Sequence, residues 1–146
     1  MVSLGPRHLD FSSNDLDLRR ARRRDVAECL VERARWVRPD ERRLVERVYR
    51  DGASIKDVSE ALGVRASVAG NRLRRAARRM LSARFEFVLA QRASWTGRRR
   101  SVARLCVLEG RPMREACETL GLTLHMVRNE LKIIDALVRE SKGGTR

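Results

Sequence analysis

One stretch of the chain occurs twice. RDGASIKDVSEALGVRASVAGNRL (Arg50 to Leu73) aligns without a gap on LEGRPMREACETLGLTLHMVRNEL (Leu108 to Leu131), at a constant offset of 58 residues. Gly52 falls on Gly110, Glu60 on Glu118, Leu62-Gly63 on Leu120-Gly121, and Asn71 and Leu73 on Asn129 and Leu131. Other positions exchange like for like: Asp51 with Glu109, Ile55 with Met113, Asp57 with Glu115, Val58 with Ala116, Val64 with Leu122. A repeat constrains architecture strongly, because the fold must be buildable from two copies of one unit.

Each copy reads as a leading helix, a turn, a short helix, a tight turn and a longer helix. In the first, Asp40 to Arg50 is the leading helix and Gly52 its stop, glycine being the residue that best tolerates the left-handed cap. Ser54 caps a short helix from Ile55 to Leu62, with Asp57 three residues on as its capping-box partner. Gly63 closes it, and a third helix starts near Arg65-Ala66. In the second, RRRSVARLCVLEG leads, Pro112 suits the first position of the middle helix, and Thr123 caps the third. Two short helices joined by a glycine turn are a helix-turn-helix signature. Val58, Leu62, Ala69 and Leu73 then face inward, and the outer face of the third helix is left for a DNA groove.

The expected fold is therefore all-α: two tandem helix-turn-helix modules joined by a long helix, with an extra N-terminal helix. Residues 1–13 read as a flexible leader punctuated by Gly5 and Pro6, and 14–38 as the N-terminal helix. The first module spans 39–81, a helical linker 82–96, the second module 97–141 and a tail 142–146. The linker MLSARFEFVLAQRASW is expected to prolong the third helix, with Phe85, Val88 and Leu89 packed between the modules.

Charge narrows the function. The formal net charge is +14, and a compact chain with that surplus seeks a polyanion. Glu86 is the sole acid between Glu60 and Glu109, an interval holding twelve arginines. Solvated faces ordinarily mix signs, so this imbalance points to phosphate contact. Nucleic acid is the leading partner. Aromatics are 4 % of residues, which disfavours stacking on single-stranded bases. Cys29, Cys106 and Cys117 form no CxxC pair, and the histidines are only His8 and His125. No metal site, cofactor or disulfide framework follows from that set. No run approaches the length of a membrane span, and no motif places an enzyme's constellation. The chain reads as a cytoplasmic, nucleoid-associated protein.

The segment RPDERRLVERVYRDGASIKDVSEALGVRASVAGNRLRRAARRML resembles region 4 of bacterial sigma factors, the extracytoplasmic-function class above all. The resemblance is carried by Pro39, RDGAS, VSEALGV and RLRRA (Arg72 to Ala76). It departs at Arg65, where the family caps with Ser or Thr, and at Gly70, since the family rarely places glycine in that helix. The resemblance implies promoter reading in the major groove and docking on core RNA polymerase. The stretch before Pro39 is too short for the region that melts promoters, so a complete sigma factor is not implied. Stand-alone sigma-like activators of phage-derived clusters are one setting for such a chain.

The expected function is sequence-specific binding of double-stranded DNA by a transcription regulator, acting as an activator with RNA polymerase. Base reading falls to the start of each third helix: Arg65, Ser67, Gly70, Asn71 and Arg74, then Thr123, His125, Arg128, Asn129 and Lys132. At Gly70 a bare backbone would either let DNA approach closely or simply be tolerated in a helix held by packing. Arg72, Arg75, Arg78, Arg79, Arg98, Arg99 and Arg100 are assigned to phosphates. Two alternatives stand beside this. One is a polymerase-binding factor with a single DNA-reading module, since Glu130, Asp135 and Glu140 dilute the charge of the second. The other is a non-specific nucleoid or RNA binder. RRARRR (Arg19 to Arg24) could flank DNA, contact a partner or simply be solvated, and the first helix could support a dimer or cap the first module. A homodimer or a heteromeric regulator partner is compatible with either.

Overall fold

Proline and serine set the joints of the molecule. The computed structural model describes the backbone of residues 4–143 and the side chains from residue 18 onward. Helix α1 runs Leu4–Arg33 and relaxes into a single tighter turn, Ala34–Trp36. Arg38 then takes the extended backbone (φ −62°, ψ 150°) that a residue before proline prefers, and Pro39 opens α2, Pro39–Val45. The last turn, Glu46–Arg50, widens to π geometry. Next come α3, Ile55–Leu62, and α4, Ala66–Met80. Ala83–Gln91 forms α5. Gly97–Val102 forms α6, again widening over Ala103–Leu108. Met113–Leu120 is α7 and Leu124–Gly143 is α8. Among the described residues the fold is all-helical.

The repeat recurs in the backbone hydrogen bonds. Asp51 N–H donates to Glu46 O (3.0 Å) and Ala53 N–H to Arg47 O (2.9 Å). Glu109 donates to Arg104 O (3.0 Å) and Arg111 to Leu105 O (2.9 Å), the same four positions 58 residues on. Val64 donates to Ser59 O (3.0 Å) as Leu122 does to Cys117 O (3.1 Å). Gly63 and Gly121 sit between these partners at φ 68° and 66°, a left-handed turn that costs glycine nothing sterically. The caps are exchanged rather than copied. Ser54 Oγ accepts from Asp57 N–H (3.1 Å), while Pro112 stands in its place. Thr123 Oγ1 accepts from Met126 N–H (3.2 Å), while Arg65 provides no side-chain cap.

Two expectations change. The helix expected to begin near Asn14 begins at Leu4, with Pro6 in the first turn, where a missing N–H leaves no bond unmade. Of the leader, residues 1–3 lie outside the described residues, as do residues 144–146 of the tail. The joining helix is not continuous. α4 stops at Met80, and Ser82 breaks the chain by serving both sides: its hydroxyl donates to Arg79 O (2.7 Å) and accepts from Phe85 N–H (3.2 Å). A serine that can cap a new helix competes with continuing the old one.

The core draws on both copies. Leu30, Leu44, Val45, Val58, Leu73, Ala76 and Met80 pack in one cluster with Phe85 and Val88 of α5, and with Val107, Leu108 and Ile134 from the second copy. Phe85 and Val88 are fully buried, and each such side chain contributes about 1.5–3 kcal/mol. A smaller cluster, Val102, Leu105, Ala116 and Val127, belongs to the second copy alone. The equivalent pairs Val45/Ala103, Val58/Ala116, Ala69/Val127 and Ala76/Ile134 are all buried.

Candidate nucleic-acid interface

The apolar residues of α4 fall on one stripe. Ala69, Gly70, Leu73, Ala76 and Met80 are buried, where α4 packs across α3 and α2. At about 100° per residue, this turns Ser67, Val68, Asn71, Arg74, Arg75 and Arg78 to the outside, and all six are exposed. Arg65 and Arg72 are exposed at its margins. No carboxylate among the described residues pairs with Arg72, Arg74, Arg75 or Arg78. The internal contact is polar: Arg74 Nη2 donates to Asn71 Oδ1 at 2.5 Å. Bidentate reading of adenine uses that same amide oxygen as an acceptor, and its second lone pair stays available to a base beside the Arg74 bond.

Gly70 does not belong to this face. It is buried, with Ile55 Cγ2 3.9 Å and Arg74 Nη1 3.6 Å from where a Cβ would stand. It lies three residues before Leu73 and shares its inward phase, so it offers no backbone to a base.

Arg79 is a second correction. It turns away from the outer face and pairs with the buried Glu41 of α2, Nη2 to Oε1 at 2.5 Å and Nη1 to Oε2 at 3.0 Å. Its Nε donates to Leu108 O (3.2 Å). A Cβ on Gly110 would stand 2.5 Å from the same guanidinium, so glycine there leaves room for the arginine. Arg79 joins the two copies rather than meeting phosphate. Arg99 is likewise committed, donating from Nε to Glu130 Oε2 at 2.9 Å between α6 and α8. Arg98 and Arg100 on either side are exposed.

On α8 the outward positions hold His125, Arg128, Asn129 and Lys132, all exposed, as is Thr123 just before the helix. The Thr123 hydroxyl oxygen accepts the capping bond from Met126 N–H, and its O–H remains free to donate. Two acids that were expected to dilute this module's charge have internal partners: Glu130 pairs with Arg99 and Asp135 with Arg84 (2.8 Å). Glu140 remains exposed, beside Arg139. Arg139 extends the outward face and was missed, as were Lys56 and Arg114. These last two occupy equivalent positions in α3 and α7, both exposed. Aligning the copies would have found that shared cation.

Elsewhere arginines serve the fold. Arg42 and Arg50 close on Glu46, and the Arg42 hydrogen bond holds that carboxyl below its ordinary range. Arg111 pairs with Glu109 and Glu115 and is held above its usual value. Arg92 lies over the Trp36 ring at 3.6 Å. The three cysteines are free and partly buried. No described helix is long and apolar enough to cross a membrane.

Comparison with protein-family models, curated proteins and solved structures finds no match to the chain.

Proposed function

We propose that this protein is a transcription regulator that binds double-stranded DNA in a sequence-specific way through two helix-turn-helix modules, α2–α4 and α6–α8. The observation that carries the reading is the outer face of α4, where Asn71, Arg74, Arg75 and Arg78 stand exposed with no carboxylate among the described residues to neutralise them. The recurrence of the same backbone turns 58 residues on supports a second module built alike.

In this reading α4 and α8 enter the major groove. Arg65, Ser67, Asn71 and Arg74 meet base edges at and within the start of α4, and Thr123, His125, Arg128, Asn129 and Lys132 at and within the start of α8. Each good bidentate pair discriminates by about 1–3 kcal/mol. Arg72, Arg75, Arg78, Arg98 and Arg100 meet phosphates, joined by Lys56 and Arg114 where the middle helices cross the backbone. Activation through core RNA polymerase rests on the resemblance of 39–81 alone, and retention of polymerase subunits by the tagged protein tests it.

The decisive experiment is selection from random duplexes followed by footprinting. A preferred sequence whose recognition weakens with Asn71→Ala and Arg74→Ala is expected. Binding with no sequence preference overturns the reading.

A further inference from the structure

The first helix carries a basic segment whose side chains stand exposed from Leu18 to Val26. Among the described residues α1 is anchored at its C-terminal end, where Leu30 is buried and Arg33 Nη1 donates to Met80 O at 2.5 Å. From Leu18 to Val26 every side chain is exposed, Leu18 at 58 % and Val26 at 41 %. Arg20, Arg22, Arg23 and Arg24 lie in this span with no carboxylate pairing among the described residues. They stand about 14–20 Å along the helix axis from Arg33, at 1.5 Å per residue.

Among the described residues no carboxylate offsets the charge of these four side chains. Arg20 and Arg24 are four apart on one face, where like charges repel. A helix polar all round with no i,i+4 ion pairs is marginal by itself, and a bound polyanion would stabilise it. The chemistry of that compensation is legible. From Leu18 to Val26 the large apolar residues are Leu18 and Val26 alone, so this segment lacks the stripe that seats a helix in a membrane surface or an apolar groove. Its four cations point around the helix at about 100° per residue rather than to one side. A flat acidic surface would reach only part of them. A duplex groove presents phosphates along both walls.

We infer that Arg20, Arg22, Arg23 and Arg24 form a phosphate-binding arm that grips duplex DNA flanking the sequence read by α4. The inference rests on the DNA-binding reading above. Arg33 holds the base of the arm against the end of α4, so the two grips are fixed relative to each other. The arm contributes affinity and salt dependence, not sequence choice.

The test compares the full-length protein with a variant carrying Arg20→Gln, Arg22→Gln, Arg23→Gln and Arg24→Gln, on a duplex containing the footprinted site and its flanks. A second variant with four lysines preserves charge. These side chains touch no core, so circular dichroism and Tm should match wild type. Each phosphate contact adds about 0.9 to the slope of log K against log salt. The glutamine variant should therefore lose about 3–4 from that slope, keep its preferred sequence, and recover the slope as lysines. An unchanged slope overturns the arm and leaves the regulator reading standing. A reduced slope with no sequence preference in wild type keeps the arm and overturns the regulator. A wild-type protein that binds no duplex overturns both.

Discussion

Arg78 and Arg79 are neighbours in sequence and opposites in role, and substituting each in turn separates stability from binding. Arg79→Ala removes both hydrogen bonds to Glu41, a residue only 7 % exposed, and the bond to Leu108 O. Breaking a buried pair by deleting one partner costs about 3–5 kcal/mol. The Nε of Arg38 stays 3.5 Å from Glu41 and offsets part of this, while the Leu108 carbonyl loses a bond of about 1 kcal/mol. The net expectation is a loss of about 2–4 kcal/mol. For a chain of this size that lowers Tm by roughly 4–16 °C. Urea denaturation followed by far-UV circular dichroism measures it. A double-mutant cycle with Glu41→Ala should return a coupling of at least about 1.5 kcal/mol. Arg78→Ala should stay within about 0.5 kcal/mol of wild type and weaken DNA binding instead. A coupling under about 0.5 kcal/mol, or an Arg79→Ala protein of unchanged stability that binds DNA poorly, would refute the assignment of Arg79 to the joint.

Three further outcomes are expected. Gly70→Ala should stabilise the protein by up to about 1 kcal/mol and leave DNA affinity unchanged, because a Cβ there meets Ile55 and Arg74 at ordinary contact distance; a fall in affinity on titration would return Gly70 to the interface. Burial pushes the Cys106 thiol up, so at pH 8 it holds less thiolate than a free cysteine and should alkylate more slowly, its rate still climbing above pH 9; mass spectrometry of iodoacetamide-treated protein reads this, and fast labelling at pH 8 contradicts it. Glu46 is held below its ordinary value by Arg42 and Arg50, so its contribution to stability is present above the ordinary carboxylate range and is lost as pH falls through the lowered value. Glu46→Gln should accordingly flatten the acid limb of a pH-dependent melting series, and an identical limb in the two proteins would count against it.

The outline of the fold was legible because its signals are local. Ser54 with Asp57, Gly63 and Gly121, and Pro39 each act within one turn of chain, and the repeat doubled the glycine turns. The break at Ser82 was also local, but the arginines on either side disguised a capping serine as the middle of a helix. Gly70 had two readings, and its phase with Leu73 agrees with the inward one that its burial shows. The fate of the arginines was the hidden part. Arg79 finds Glu41, 38 residues away, and Arg99 finds Glu130, 31 residues away. Composition counts these guanidinium groups with the free ones. Only tertiary packing sorts cations that hold the protein together from cations left for a partner.

The burial of α5 against both copies has a bearing on any target. Tandem readers on a loose tether gain avidity through effective concentration and tolerate variable gaps between their sites. Here Phe85 and Val88 are packed into a core that includes Met80 of one copy and Leu108 and Ile134 of the other, and close-packed interiors do not deform continuously. If α4 and α8 both read DNA, the operator inherits their separation as a ruler. A single inserted base pair would swing the second half-site around the duplex by roughly a tenth of a turn, and the protein has no slack with which to follow it.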